Sequence, residues 1–307
     1  MAEKKNTFEP FITELLSEFG KMYHLSHFAS STFERSQKHA AELLEKYRKM
    51  LEGKPHGPVV GSGTLLGIPL IHLAENEWGI SPPGISSLDE KALALMDELG
   101  HRAQAQIWSM AYEVMESFFI RMGSEFYWLK RGVMSLDRKK EFQKKPPWLH
   151  KGTPEFFAAF VRWHCRGNCL SLLRQTCNHL PVLKQKLKTN WLQIDLIDLY
   201  RMVGDVRHKI VHNGGQMSTD YLNGLPFNDF VKACMRTSIL TGEQTFLPHA
   251  KSVDRTLQNL GGMAFAIYVE LSKSCGMGFY MPKATDVLFK QAQQALTFVE
   301  EQSKKER

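Results

Sequence analysis

The sequence predicts a mostly α-helical protein with at least six helices. Three observations carry that expectation. Apolar residues recur at i, i+3, i+4 and i+7 over long stretches, the spacing that gathers them on one helix face. Residues that start and stop helices stand at the ends of those stretches. No internal repeat of fixed period organises the chain instead.

Phe8, Phe11, Ile12, Leu15, Leu16 and Phe19 form the apolar stripe of a first amphipathic helix. A second is expected from Ser31 to about Leu51, with Phe33, Ala40, Leu43, Leu44 and Tyr47 inward and Gly53 placed to end it. The composition then changes. Five of the 13 prolines and seven of the 22 glycines lie between Gly53 and Gly84, which disfavours helix and predicts a long loop or a small hairpin. Ser87-Leu88-Asp89-Glu90 reads as a helix start, with Ser87 as N-cap and Glu90 at the third helical position. That helix is expected to reach about Met122, with Gly100 as a weak point in it. After a basic segment, further helices are expected over about 154–180, 192–212, 252–274 and 283–300. Asn213-Gly214-Gly215 suits a left-handed stop for the helix that ends there. The chain thus divides into an N-terminal helical region (1–52), a Gly/Pro-rich loop (53–86) and a main helical body (87–307) that includes a C-terminal helix.

Composition limits the function classes. At 307 residues the chain makes one large domain or two modest ones, and 43% hydrophobic with 23% charged residues is ordinary for a folded protein. Lys and Arg number 39 against 32 Asp and Glu, a formal charge of +7 that permits an anionic partner such as nucleic acid without demanding one. No run of about 18 apolar residues occurs, so no membrane-spanning helix is expected. The leading Met-Ala-Glu-Lys-Lys-Asn has no apolar stretch of signal-peptide type behind it. Five cysteines, odd in number and widely spread, argue against a disulfide framework and for a reducing, cytoplasmic setting.

The most informative stretch runs from Asp198 to Gly215. Leu199, Met202, Val203, Val206 and Ile210 make an apolar face, while Asp205, His208 and His212 stand at i, i+3 and i+7 along one stripe. Arg207 lies one position around. A guanidinium binds phosphate through two nitrogens and stabilises charge on its oxygens. An imidazole exchanges a proton near neutrality, and a carboxylate can orient it. Cleavage of RNA by its own 2′-hydroxyl needs those parts and no metal. Arg207 and His212 are five positions apart, about 140° around an ideal helix, so they converge only where the helix frays or where a second subunit completes the site.

Arg207-His208-Lys209-Ile210-Val211-His212 resembles the R-x4–6-H motif of the HEPN superfamily, including the polar residue after the Arg. Tyr112-Glu113-Val114-Met115-Glu116-Ser117-Phe118-Phe119 resembles a bundle helix of that family, with a Glu among apolar residues. The resemblance covers about Ala103 to Cys275 and leaves the first hundred residues unmatched. It implies a HEPN-like helical bundle with additional N-terminal helices and a C-terminal helix. It further implies a metal-independent endoribonuclease of toxin or antiviral type, forming a homodimer, without cofactor, with RNA as substrate and with an antitoxin or regulatory protein as partner. Arg207 would bind the scissile phosphate and His212 would act as general base or acid. His208 and Asp205 would assist, and Glu113 or Glu116 would orient the Arg. The superfamily also contains inactive members, so a non-catalytic interaction or RNA-binding module is the alternative. In that case Arg207 and His212 would simply cap a helix end.

Weaker signals surround this one. Between Lys130 and Lys151 eight basic residues, among them Arg131, Lys139, Lys140, Lys144 and Lys145, face two acids. Tyr127, Trp128, Phe142 and Trp148 interleave with them, as on a surface that binds single strands by charge and stacking. A solvated loop with aromatic anchors is the other reading. His164, Cys165, Cys169, Cys177 and His179 lack the CxxC spacing of a zinc knuckle, and the cysteines read as small core residues. Gly61-Ser62-Gly63-Thr64-Leu65-Leu66-Gly67 has no Gly-Lys-Ser/Thr behind it and reads as a turn rather than a phosphate loop.

Overall fold

The computed structural model describes residues 5–51, 90–133, 142, 153–164, 169–190 and 193–279. The loop expected over 53–84, the Ser87 start signal, Cys165, Trp148, the lysines at 139, 140, 144 and 145, and the helix expected over 283–300 lie outside the described residues. Within them the chain is mostly helical. In order it forms α1 (Glu9–Leu51), α2 (Glu90–Leu129), α3 (Pro154–His164), α4 (Cys169–His179), α5 (Pro181–Lys188), α6 (Leu196–Asn213), α7 (Thr219–Asn223), α8 (Asn228–Lys232), β1 (Met235–Thr237), β2 (Gln244–Phe246) and α9 (Ala250–Ser274). A short 3-10 turn at Arg131–Val133 follows α2. No described helix is long and apolar enough to cross a membrane.

Two expectations are corrected. The two N-terminal helices are one helix of 43 residues. The stretch between them carries a weaker apolar stripe, but Met22 and Ser26 in it are buried, and the Ser26 hydroxyl donates to Gln104 of α2 at 2.7 Å. Tertiary contact, not local pattern, continues that helix. α2 passes Gly100 unbroken, because that glycine makes room for Phe33: a Cβ there would sit 3.2 Å from the Phe33 Cβ. The helix expected over 154–180 is described in two stretches, α3 and α4, and residues 165–168 lie outside the described residues. The β1–β2 hairpin was not anticipated; it pairs antiparallel, Met235 with Phe246 and Thr237 with Gln244.

Contacts along the helices fix their directions. Arg121 meets Glu14, Gln104 meets Ser26 and Gly100 meets Phe33, so α2 runs antiparallel to α1. Asn6, just before α1, donates to Ser272, while His27 pairs with Asp254, so α9 is also antiparallel to α1. α6 lies antiparallel against α2, with Phe119 on Tyr200 and Glu113 on Arg207. One core joins them all, from Phe8 and Phe19 of α1 through Trp108 and Met115 of α2 to Val203 and Val206 of α6 and Leu260 and Phe265 of α9. Fully burying such an aliphatic or Phe side chain contributes about 1.5–3 kcal/mol. The face predicted for α6 is the buried one, since Leu199, Met202, Val203, Val206 and Ile210 all belong to the core.

Candidate functional site

α6 presents the residues that the motif singles out, and its ends are fixed by the chain's own chemistry. Asp195 caps the start by accepting from the amides of Ile197 and Asp198. Gly214 adopts the left-handed conformation at φ 59°, and the Gly215 amide reaches back to the Lys209 carbonyl at 2.9 Å. The Asn-Gly-Gly stop therefore ends α6 as expected, and it leaves His212 in the last exposed turn.

The structure brings some of the predicted residues together. Arg207 Nη2 donates to Glu113 Oε1 at 2.9 Å, joining the end of α6 to α2 across 94 positions of sequence. The guanidinium is partly buried and its Nε is buried without a hydrogen-bond partner. It is thus held by one carboxylate through Nη2, and Nη1 makes none of the described hydrogen bonds. The His208 and His212 rings lie 4.5 Å apart between centroids, tilted by 48°, both on the surface. Glu113 is the acid that reaches Arg207. Glu116, one turn on, instead lies electrostatically near Tyr112 and Tyr200.

Asp205 plays a different part from the one its spacing suggests. Its carboxylate faces Arg201 at 3.6 Å, one turn back, rather than bonding to an imidazole. Burial pushes that carboxyl above its usual range, against the pull of Arg201 and His208. Its backbone carbonyl accepts from the Tyr221 hydroxyl at 3.0 Å, and the Lys209 ammonium lies 4.3 Å over the Tyr221 ring. Tyr221 of α7 thus buttresses the last two turns of α6.

Two neighbours that sequence reasoning missed set the spacing. Tyr112, beside Glu113, stacks on Tyr200 at 5.1 Å and 13°. Its ring presses on Gly204, where a Cβ would meet Tyr112 Cε2 at 2.7 Å. A glycine within an otherwise regular helical pattern is the signal that could have pointed to this close approach.

The basic segment is described only in part. Arg131 is exposed, and its guanidinium stacks 3.7 Å from the centre of the Trp128 ring. Tyr127 and Phe142 are buried, so these two aromatics serve the core and are not open to a stacked base. Cys169 and Cys177 are buried as well, and desolvation pushes the Cys177 thiol up to about 11. Among the described residues no group of three or more His, Cys, Asp or Glu is placed to hold a metal ion.

Comparison with protein-family models, with curated proteins and with solved structures finds no match to this chain.

Proposed function

We propose that this protein is a metal-independent endoribonuclease of HEPN type, a toxin or antiviral effector that cleaves RNA through attack of the 2′-hydroxyl on the adjacent phosphate. The observation that carries the reading is the Arg207–Glu113 bond. A carboxylate from α2 holds the guanidinium through Nη2, while Nη1 makes none of the described hydrogen bonds, and this supports a phosphate-binding role for Arg207. In this mechanism Arg207 binds the scissile phosphate and offsets charge on its oxygens as the attack proceeds. His212, beside His208 at the exposed helix end, takes the 2′-hydroxyl proton or returns one to the leaving 5′-oxygen. Glu113 acts as a positioning residue. Arg131 and the lysines at 139, 140, 144 and 145 supply strand affinity, and a second copy brings the imidazole that one helix leaves about 140° from its Arg.

The non-catalytic alternative has Arg207 and His212 as caps bonded to backbone carbonyls. Among the described hydrogen bonds, Arg207 goes to a carboxylate and neither side chain goes to a carbonyl, which favours the catalytic reading. Arg207→Ala and His212→Ala test it. Each is expected to lower cleavage of total RNA by about a hundredfold or more while the melting temperature hardly moves. Loss of stability without any cleavage to lose, in wild type or variants, selects the alternative.

A further inference from the structure

Away from Arg207, α1, α2, β1 and the start of α9 border an open cavity of about 150 Å³. Small-molecule sites commonly run about 300–1,000 Å³, so this one suits a single flat ring system rather than a large ligand. Four polar side chains from three elements meet in it. Asp97 faces both Arg236 Nη1, at 3.3 Å, and His101 Nε2, at 3.6 Å. Arg236 Nη2 lies 2.6 Å from His249 Nε2. A guanidinium only donates, so that imidazole nitrogen is the acceptor and His249 is neutral with its proton on Nδ1. Burial, Arg236 and His101 all act in the same direction on His249, holding it below the usual imidazole range. His101 is oriented by the Pro248 carbonyl, which lies 2.8 Å from its Nδ1, and its ring meets His249 edge-on at 4.7 Å. Phe33 of α1 adds an aromatic wall beside Gly100, and Glu34 adds a second carboxylate.

The charge pattern selects the ligand. Two carboxylates against one guanidinium disfavour a bare inorganic anion, and the guanidinium between Asp97 and His249 disfavours a metal ion. What fits is a flat ring with adjacent N–H donors for a carboxylate and, next to them, acceptors for an Arg. Guanine offers that order, with N1–H and N2–H₂ beside O6 and N7. Adenine presents no such pair of donors. Unstacked bases of single strands are held by aromatic faces and by hydrogen bonds on those edges.

We infer that this cavity binds a guanine base of single-stranded RNA, with Asp97 on its donor edge, Arg236 on its acceptor edge and Phe33 and the His249 ring against its faces. The inference deepens, and rests on, the ribonuclease reading.

The test measures binding of the full chain to a short 2′-O-methyl oligouridine carrying one guanine, and to the same strand with adenine there. The 2′-O-methyl group removes the nucleophile, so binding is read whether or not the protein cleaves. The guanine strand is expected to bind at least tenfold tighter, and Asp97→Asn and Arg236→Lys, both checked by melting temperature, should each abolish the difference. Arg236→Lys keeps the charge and loses only the forked geometry, so it separates recognition from folding. Equal binding of the two strands overturns the inference. So does competition by inorganic phosphate that displaces both strands alike, or tighter binding of free guanosine monophosphate than of the strand. Cleavage that is absent while discrimination persists removes the ribonuclease reading alone.

Discussion

A Cβ at position 204 has nowhere to go: it would lie 2.7 Å from Tyr112 Cε2, and Tyr112 is itself stacked on the buried Tyr200. Alanine is a better helix former than glycine by about 1 kcal/mol. Overpacking costs typically about 1–3 kcal/mol, and here the ring that must move is clamped. Gly204→Ala is therefore expected to be destabilising, read as a lower melting temperature; a neutral or stabilising result would show that Tyr112 can shift freely. At the neighbouring pair the expectation is reversed. The Arg207–Glu113 bond is partly exposed, so Glu113→Gln should change stability by less than about 1 kcal/mol. Its effect belongs in the reaction, where misplacing a reacting group by about 1 Å costs up to about a hundredfold. Glu113→Asp should recover part of the rate. Unchanged cleavage in Glu113→Gln removes Glu113 from any positioning role.

At the scale of elements, the hairpin is fastened to α2 by one buried carboxylate. Glu98 accepts from the Ser238 hydroxyl at 2.7 Å, from the Ile239 amide at 2.6 Å and from Arg102 at 2.7 Å. Burial opposes its charge, but the hydrogen bonds from Ser238, Arg102 and Ile239 outweigh it and hold the carboxyl below the usual carboxylate range. A depressed carboxyl contributes stability above its unfolded pKa and loses it as pH falls through the folded value. The wild type should thus exceed Glu98→Gln by about 1–3 kcal/mol at neutral pH, and the gap should close as pH falls through and below the usual carboxylate range. A gap independent of pH contradicts the assignment. This fastening was not legible in the sequence, since strands of three residues carry almost no alternation and Glu98 differs in no local way from other acids of α2. α6 was legible, because its apolar face and its Asn-Gly-Gly stop are both local signals. The continuity of α1 was not, because contacts to α2 hold its middle.

At the scale of the whole molecule, the candidate site exists because α2 and α6 pack antiparallel at a spacing set by Gly204 and the stacked tyrosines. The sequence placed Arg207, His208 and His212 on one helix and offered two acids as partners for the Arg; packing of α2 on α6 chooses Glu113. The Asp97–Arg236–His249 cluster escaped sequence reading altogether, because its members come from three elements far apart in the chain. The central claim is that these residues cleave RNA with the substrate's own 2′-hydroxyl. The most direct measurement incubates purified protein with total RNA in EDTA and determines the product ends. Undiminished cleavage with 2′,3′-cyclic phosphate or 3′-phosphate ends is expected, lost in Arg207→Ala and His212→Ala. Products with 3′-hydroxyl ends, a strict magnesium requirement, or equal cleavage by both variants would contradict it.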